Sequence, residues 1–556
     1  MKFIYGKQDL RTLARSQEYT FLLTNGLGGY ASVTAAYSSP RCDQGLLVAA
    51  VKAPNQRITM VHRMRETLML DGQNAELSTQ EFADGTPAEN GWRNLSSFTY
   101  EYIPSWTYHV SGVQVERTLC LQHGANTAAL LYTLTNLSDA SCTLCLEPFF
   151  KFTPKEQALE QKKQMRYDNG RILCGDQALY LATDGEAKAI TGSWQTLAYP
   201  EDAKDGRPDA GMAGSCCLIS RTVAPGETAR MEVIFSLEPT AASAEGIITA
   251  EVTRLKQLEA EGGFADPVAR QLTLAADAYI ARRDSTDGKT ILAGYPLFSD
   301  WGRDTMIALP GCCLATGRYE DAKSILRTFL AYEKDGLVPN LFPEGETKPM
   351  YNTVDAALLL IDSVWQYTRR TGDLAFAREA WPVMERIVAA YRKGTHHHIG
   401  MDTDGLIFAG GGLDQVTWMD VCVNGILPTP RHGKPVEINA YWYNALRIMD
   451  ALASELALPA ADYAQLAETV KEAFLAAFYM EDKGYLKDVI SGTKADEQLR
   501  CNQIWAITMP FTMLSDEQEK KVVDAVYRHL YTPVGLRTLS PEDPEFKPHY
   551  GGPQLD

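Results

Sequence analysis

The chain has 556 residues, of which 45% are hydrophobic, and its 53 Lys and Arg against 70 Asp and Glu give a formal net charge of -17. This length exceeds the usual limit of one domain, so we expect two or more. The acidic balance, without a run of Lys or Arg, argues against nucleic-acid and membrane partners and favours a neutral or cationic ligand. Because no apolar signal or stretch of about 18 apolar residues occurs, we expect a cytoplasmic protein.

From about residue 20 to residue 240, short runs of β-branched and aromatic residues alternate with turn signals. This pattern is typical of an antiparallel sandwich. We therefore predict an N-terminal β-sandwich domain over residues 1–240. The strand runs lie at 112–121, 127–136, 142–150, 178–184 and 216–237.

The pattern changes near Pro239, where Ala, Glu and Leu recur at helical spacing, and we predict a linker helix over residues 241–263. Residues 264–556 are almost entirely helical, which predicts a separate C-terminal domain. The alternation of helix and loop is typical of a barrel of paired helices. Nine helices are predicted, at 266–283, 303–316, 319–334, 353–371, 375–394, 436–454, 460–479, 499–511 and 515–530.

Three long loops rich in Gly and Pro, at 284–302, 336–352 and 400–435, interrupt these helices. Functional residues concentrate in long ordered loops on a rigid scaffold. In the first loop, Trp301, Arg303 and Asp304 precede a helix, and together they offer a ring for a sugar face and charged groups for its hydroxyls. The alternative is that Asp304 caps the helix beside a solvated Arg303.

Asp420 is the main catalytic candidate, since it follows Trp418 and Met419 in the loop 400–435. Apolar surroundings disfavour a charged carboxylate and raise its pKa, as a general acid in glycoside cleavage requires. Arg431 is placed to hold either Asp420 or Glu437.

Asp355 and Glu437 each lie near the start of a predicted apolar helix. Both are candidates for lining a pocket. The alternative for each is a structural role, because an acidic side chain at this position interacts favourably with the helix dipole.

We predict no metal site and no cofactor. His396, His397 and His398 are consecutive near a predicted helix end, so they cannot all face one metal ion, and a helix-dipole role is favoured. The glycine-rich loop 25–29 lacks the Lys-Ser/Thr pair of a phosphate-binding loop.

Several motifs occur in one order between Thr24 and the last residue: TNGLGGYAS, GYPLFSDWGRDT, GLVPN, YNTVDA, TWMD, TPRHGKPVEINAYWYNAL and CNQIWA. In these motifs the chain resembles the glycogen debranching enzyme family, specifically its bacterial and archaeal amylo-α-1,6-glucosidases. It departs from the family at Arg41–Gly45, where an aromatic-His-Gly element is usual.

The resemblance implies a β-sandwich followed by an (α/α)6 barrel of twelve helices, with the active site at the mouth of the barrel. The implied reaction is inverting hydrolysis of α-1,6-linked glucose branch stubs in glycogen or limit dextrin, without a metal, a cofactor or a covalent intermediate. Asp420 would be the general acid. The substrate-binding residues would be Trp301, Arg303, Asp304, Asp355, Trp418, Arg431 and Glu437.

An inverting glycosidase also needs a carboxylate, roughly 6.5–9.5 Å from the acid, that activates water. In the family this general base lies in a late loop of the barrel. Since about nine of the twelve helices are predicted, we expect a barrel truncated at its C-terminus and a base beyond residue 556.

Two other functions stay open. Another inverting (α/α)6 glycosidase or a phosphorylase acting on α-glucosides fits the same motifs, and a phosphorylase would release glucose 1-phosphate. An inactive glucan-binding fragment without the base would bind sugar through Trp301 and Trp418. The sequence does not specify an oligomeric state.

Overall fold

Residues 1–343, 348–459 and 462–549 are described by a computed structural model of the protein. Their contacts form two units: unit 1 is built from Met1–Ser299 with Pro343, and unit 2 from Asp300–Phe342 and the described residues from Lys348 onward. Parts of the predicted loop 336–352, of the predicted helix 460–479 and of the predicted C-terminal domain lie outside the described residues.

Unit 1 consists mainly of β-strands. They are β1 (Phe3–Gly6), β2 (Leu23–Thr24), β3 (Tyr30–Ser32), β4 (Gly45–Lys52), β5 (Gln56–Leu70), β6 (Gln73–Glu76), β7 (Thr79–Gln80), β8 (Glu89–Asn90), β9 (Leu95–Tyr100), β10 (Pro104–Val110), β11 (Val113–Leu121), β12 (Thr127–Asn136), β13 (Cys142–Pro154), β14 (Met165–Asp168), β15 (Arg171–Cys174), β16 (Gln177–Thr183), β17 (Glu186–Ala198), β18 (Ala210–Val223), β19 (Thr228–Ser236), β20 (Ile280–Arg283) and β21 (Gly288–Ile291). Its helices are α1 (Leu13–Gln17), α2 (Pro200–Lys204), α3 (Ala244–Glu261) and α4 (Pro267–Tyr279). The five predicted strand runs are confirmed, and the last of them contains two strands, β18 and β19.

Two antiparallel sheets of unit 1 share one hydrophobic core. The strand orders are β1-β9-β10-β11-β12-β19-β16-β15-β14 and β17-β18-β13-β5-β4-β3-β2, with β6 paired to β5. Successive side chains of a strand point to opposite faces, so alternate residues reach the core. Trp106 and Leu130 enter it from the first sheet, and Met64 and Leu144 from the second. The predicted antiparallel β domain is confirmed.

Helix α3 covers the outer face of the first sheet. Its residues Ala244 and Ile247 pack on the side chains of Cys120, Ala129 and Ile234. The segment predicted as a linker is therefore a layer of unit 1. Helix α4 and the hairpin β20–β21 also belong to this unit, which extends beyond the predicted boundary near residue 264.

A buried ion pair lies in the core of unit 1. Arg117, which is fully buried, donates to Glu66 through Nη1 and to the Tyr108 hydroxyl through Nη2 over 3.0 Å. The Tyr132 hydroxyl donates to Glu66 Oε1 at 2.7 Å. Because a buried charge is costly unless it is paired and hydrogen-bonded, these partners stabilise each other within the core.

Unit 2 consists mainly of helices. They are α5 (Gly302–Leu309), α6 (Tyr319–Ala331), α7 (Ala356–Thr371), α8 (Leu374–Lys393), α9 (Val436–Glu455), α10 (Tyr463–Phe478), α11 (Trp505–Thr508) and α12 (Asp516–His529). A π-helical turn, Pro310–Leu314, extends α5, and a 3-10 turn, Cys501–Ile504, precedes α11. The short strands are β22 (Gly400–Met401), β23 (Ile407–Phe408), β24 (Lys434–Pro435), β25 (Tyr479–Met480), β26 (Tyr485–Leu486), β27 (Val489–Ser491), β28 (Lys494–Asp496), β29 (Tyr531–Thr532) and β30 (Gly535–Leu536).

Helices α7 and α9 are the central helices of unit 2, because both are buried on nearly all sides. Helix α7 packs against α5 and α9. In contrast, α6, α8 and α12 bury one stripe and present polar residues elsewhere, as outer helices do. The predicted helical C-terminal part is confirmed. Across the described ranges, every helix is too short or too polar to cross a bilayer.

Removing one partner of the buried pair in unit 1 is expected to destabilise the protein. Arg117→Met leaves the Glu66 carboxylate buried without its cation and is expected to lower the free energy of unfolding by about 3–5 kcal/mol. In the Arg117→Met/Glu66→Gln double variant the site is neutral and Tyr132 keeps an acceptor, so most of this loss is expected to disappear. Calorimetric unfolding of both variants measures the difference, and equal losses would contradict the account.

Candidate active site

Arg303 lies in the first turn of α5 with its side chain buried. Its Nε donates to Asp355 Oδ2 over 2.6 Å, and its Nη1 donates to Asp420 Oδ2 over 3.4 Å. A Cβ at Gly302 would collide with the carbonyl oxygen of Pro339, so the helix start requires glycine there. Arg303 thus joins two carboxylates from separate parts of the chain.

Asp355 immediately precedes α7 and is buried. Its side chain makes no capping hydrogen bond to this helix. Instead, Oδ1 accepts a hydrogen bond from the Thr353 hydroxyl at 2.5 Å, and Oδ2 accepts from Arg303. Asp355 therefore lies at a helix N-terminus and also forms an ion pair. The sequence predicted the position but not the ion pair.

Asp420 lies in the loop before β24, with 30% of its side chain exposed. Burial raises the pKa of Asp420, whereas the guanidinium of Arg303 acts in the opposite direction and the charge of Asp355 adds to the rise. The direction agrees with the one predicted from the sequence. The opposing contact with Arg303 was not predicted.

Arg431 is the centre of a second buried cluster. Its Nη2 donates to Glu437 Oε2 over 2.7 Å, its Nη1 binds the other oxygen of Glu437, and its Nε donates to Asp488 Oδ2 over 2.8 Å. Burial disfavours the charged guanidinium, but the two carboxylates raise the pKa of Arg431. Of the two partners considered from the sequence, Arg431 therefore holds Glu437.

Asp488 reaches this cluster through a small antiparallel ribbon. Strand β24 pairs with β27, and the Val436 N–H donates to the Asp488 carbonyl oxygen over 3.0 Å. Gly433 has φ +121°, and a Cβ there would collide with the Ile490 carbonyl oxygen. Sequence reasoning missed Asp488. The run Val489-Ile490 before Gly492 is a strand signal, but it does not identify the pairing partner.

Trp418 belongs to the same network, although it is 39% exposed. Its Nε1 donates to Asn502 Oδ1 over 2.8 Å, and Asn502 Nδ2 donates to Asp488 Oδ1 over 2.8 Å. Asn502 lies in the motif CNQIWA, for which the sequence suggested no role.

Tyr441 lies between the two clusters, one helical turn after Glu437 on α9. Burial raises its pKa well above the ordinary value, and the charges of Glu437 and Asp355 add to the rise while Arg303 opposes it. Groups from both clusters thus act on one phenol. The N-terminal end of α9 therefore lies within electrostatic range of the Arg303 cluster.

Trp301 and Asp304 flank Arg303 at the start of α5. Trp301 occupies the N-cap position without a side-chain cap, and Asp304 is exposed in the first turn. Partial burial raises the pKa of Asp304, and the positive charge of Arg303 opposes this rise. Asp304 therefore does not serve as the cap considered from the sequence.

Among the described residues, no group of three or more His, Cys, Asp or Glu side chains is arranged to bind a metal ion. His397 Nδ1 and His398 Nδ1 instead lie 3.2 and 2.7 Å from the two carboxylate oxygens of Asp414. Helix α8 ends at Lys393. These two histidines therefore contact an aspartate 16 and 17 residues further along the chain, rather than making the predicted interaction with the helix dipole.

Two family descriptions match the chain. Residues 274–556 match the family described as amylo-alpha-1,6-glucosidase. Residues 20–230 match the family described as glycogen debranching enzyme N terminal. The N-terminal match lies within unit 1, and the other match begins in α4 of unit 1 and continues through the helical part.

A glycogen debranching enzyme of Saccharomyces cerevisiae (strain ATCC 204508 / S288c) is 26% identical over 378 residues. The match covers 50% of this chain and 24% of the yeast protein, so the chain spans about a quarter of that relative. A bacterial glucoamylase crystallised with acarbose aligns over 93% of this chain and 79% of its own, with a TM-score of 0.51 and 10% identity. This likeness shows a shared fold.

Substitution of Arg303 is expected to move the pKa of Asp420 upward. Arg303→Gln removes the positive charge that stabilises the carboxylate and leaves Asp355 to repel it, so we expect the pKa of Asp420 to rise further. Carbon-13 NMR of labelled aspartate side chains measures the shift, with Asp420→Asn to assign the resonance. Arg327→Gln, which alters an exposed pair with Glu379, is the control. An unchanged pKa in Arg303→Gln would contradict the account.

Proposed function

Because the chain belongs to the amylo-α-1,6-glucosidase family, we propose that it hydrolyses the α-1,6 bond of single glucose branch stubs. The substrate is glycogen, limit dextrin or a branched α-glucan oligosaccharide, and the reaction takes place in the cytoplasm with inversion at the anomeric carbon. One observation carries the proposal: a half-buried Asp420 of raised pKa contacts a buried Arg303.

Asp420 acts as the general acid that protonates the glycosidic oxygen. A sugar alkoxide is a poor leaving group, so proton donation must accompany bond cleavage. Burial supports the protonated form of Asp420 before the reaction, and Arg303 Nη1, 3.4 Å away, supports the carboxylate afterwards. These opposing influences suit a group that loses its proton during bond cleavage and regains it before the next turnover.

The terminal glucose is bound by Trp301, Arg303 and Asp304. The indole provides a stacking face, and the two charged groups provide hydrogen bonds to sugar hydroxyls. Asp355 fixes the direction of the Arg303 guanidinium, since it accepts from Nε over 2.6 Å. Asp355 therefore contributes to substrate binding through the arginine.

Trp418, Arg431 and Glu437 line the same pocket. Because Arg431 and Glu437 bind each other with two hydrogen bonds, they provide a rigid wall. The exposed ring of Trp418 supplies a second stacking face.

The carboxylate that activates water has no assignment among the described residues. Glu437 and Asp488 are buried acids, but Arg431 occupies both of them. A general base after residue 556 stays a prediction, and so does an (α/α)6 barrel of twelve helices.

Glucose release from an oligosaccharide with a single α-1,6-glucosyl stub tests the proposal, using this chain and any longer product of its gene. Asp420→Asn is expected to lower kcat by about 10²–10⁴-fold, because the amide cannot donate the required proton. Asp524→Asn, which changes an exposed residue of α12, is the matched control and should leave kcat unchanged.

The proposal is supported if this chain or a longer product of its gene releases glucose and the Asp420→Asn variant does not. Release of glucose 1-phosphate would identify a phosphorylase instead. Saturable binding of the oligosaccharide without product from any form would identify a glucan-binding protein. Each of these last two results contradicts the proposed reaction.

A further inference from the structure

The Trp418 side chain is partly exposed, but its ring nitrogen is held by a hydrogen bond. The residue is 39% exposed, yet its Nε1 donates to Asn502 Oδ1 over 2.8 Å. This hydrogen bond to a buried amide restrains the indole ring, so it would not benefit a side chain that has to rotate freely. Trp418 precedes the general acid Asp420 by two residues, so the orientation of its ring affects what can bind beside the acid.

Asn502 is buried in the 3-10 turn Cys501–Ile504 and has two functional contacts. Its Oδ1 accepts from Trp418, and its Nδ2 donates to Asp488 Oδ1 over 2.8 Å. Asp488 in turn accepts from Arg431 through Nε over 2.8 Å and Nη2 over 3.1 Å. The indole is thus tied through one amide to the buried Arg431 cluster.

The chemistry of these groups fixes the direction of the amide. An indole N–H only donates, and a carboxylate bound to arginine only accepts. An amide carries both a donor and an acceptor, so it satisfies both neighbours in one orientation alone. Because Asp488 takes the Nδ2 end, Oδ1 of Asn502 must face Trp418.

We propose that Asn502, oriented by Asp488, is a positioning residue that holds the Trp418 ring as a platform for the sugar next to Asp420. The substrate part of this inference rests on the proposed function. The positioning part rests on the three contacts alone. Neither Asn502 nor Asp488 touches the reacting atoms, so both act through Trp418.

If Asn502 had only a structural role, a different result would be expected. Packing requires only the shape of Asn502, and Leu has the same branching and the same number of non-hydrogen side-chain atoms. If packing were its only role, Asn502→Leu would leave the Trp418 ring and sugar affinity unchanged. If positioning is its role, the same change frees the indole.

The first measurement needs no substrate. Hydrogen exchange of indole N–H groups is followed by nitrogen-15 NMR in tryptophan-labelled protein, with Trp418→Phe to assign the Trp418 signal. Asn502→Leu is expected to speed exchange of the Trp418 N–H about two- to tenfold, the range one hydrogen bond supplies. The chain has 9 tryptophans, and the other indole signals serve as internal controls. Asp488→Leu, which removes the oxygen that accepts from Asn502 Nδ2, is a second variant expected to act in the same direction.

The second measurement is the affinity for the oligosaccharide with one α-1,6-glucosyl stub. It is determined as Kd in the Asp420→Asn background, and as KM and kcat in the proteins that turn the substrate over. Asn502→Leu is expected to weaken Kd and raise KM about two- to tenfold, with a smaller change in kcat. In a Trp418→Phe background, which lacks the indole N–H, Asn502→Leu should add no further effect.

Unchanged exchange at Trp418 in both Asn502→Leu and Asp488→Leu would overturn the proposal. Additive effects of Asn502→Leu and Trp418→Phe on Kd would also overturn it, because independent effects cannot pass through the indole. Faster exchange with neither oligosaccharide binding nor turnover in the wild-type protein would reject the sugar platform and the proposed function, while the indole contact itself would stand.

Discussion

The helical unit depends on two buried arginines that must be paired. Arg303 binds Asp355 and Asp420, and Arg431 binds Glu437 and Asp488. A guanidinium loses its hydration on burial, so it is tolerated only where carboxylates and hydrogen bonds replace water. Each arginine therefore brings together segments that are far apart in the sequence. The N-terminal ends of α5, α7 and α9 and the loop before β24 meet because these charges have to be satisfied.

This constraint also explains how the site can act chemically. Burial raises the pKa of Asp420, and Arg303, which is itself held by Asp355, opposes this rise. The second cluster has no comparable exposed acid; through Asn502 it contacts the Trp418 indole. The charged groups of both clusters are held by ion pairs within the protein, and such prearranged charges would suit the proposed reaction.

Much of the fold could be predicted because the periodicity of two in unit 1 and the helical spacing in unit 2 occupy separate parts of the chain. Arg303, Asp355 and Asp420 could be selected one by one, but their contacts span 52 and 117 residues, and local patterns carry no information on such pairs. Asp488 was missed for this reason, since only the pairing of β24 with β27 brings it to Arg431. The packing of α3 on the sheet was not predicted, because the sequence of a weakly amphipathic packed helix is similar to that of a linker helix.

The central claim is that Asp420 protonates the leaving oxygen in a single displacement by water. Proton NMR of the anomeric signals during the first minutes of reaction, before mutarotation, tests it most directly with a substrate bearing one α-1,6-glucosyl stub. The account predicts that β-glucose appears first. Initial release of α-glucose would contradict it, because retention requires a covalent intermediate and a nucleophile that this account does not contain.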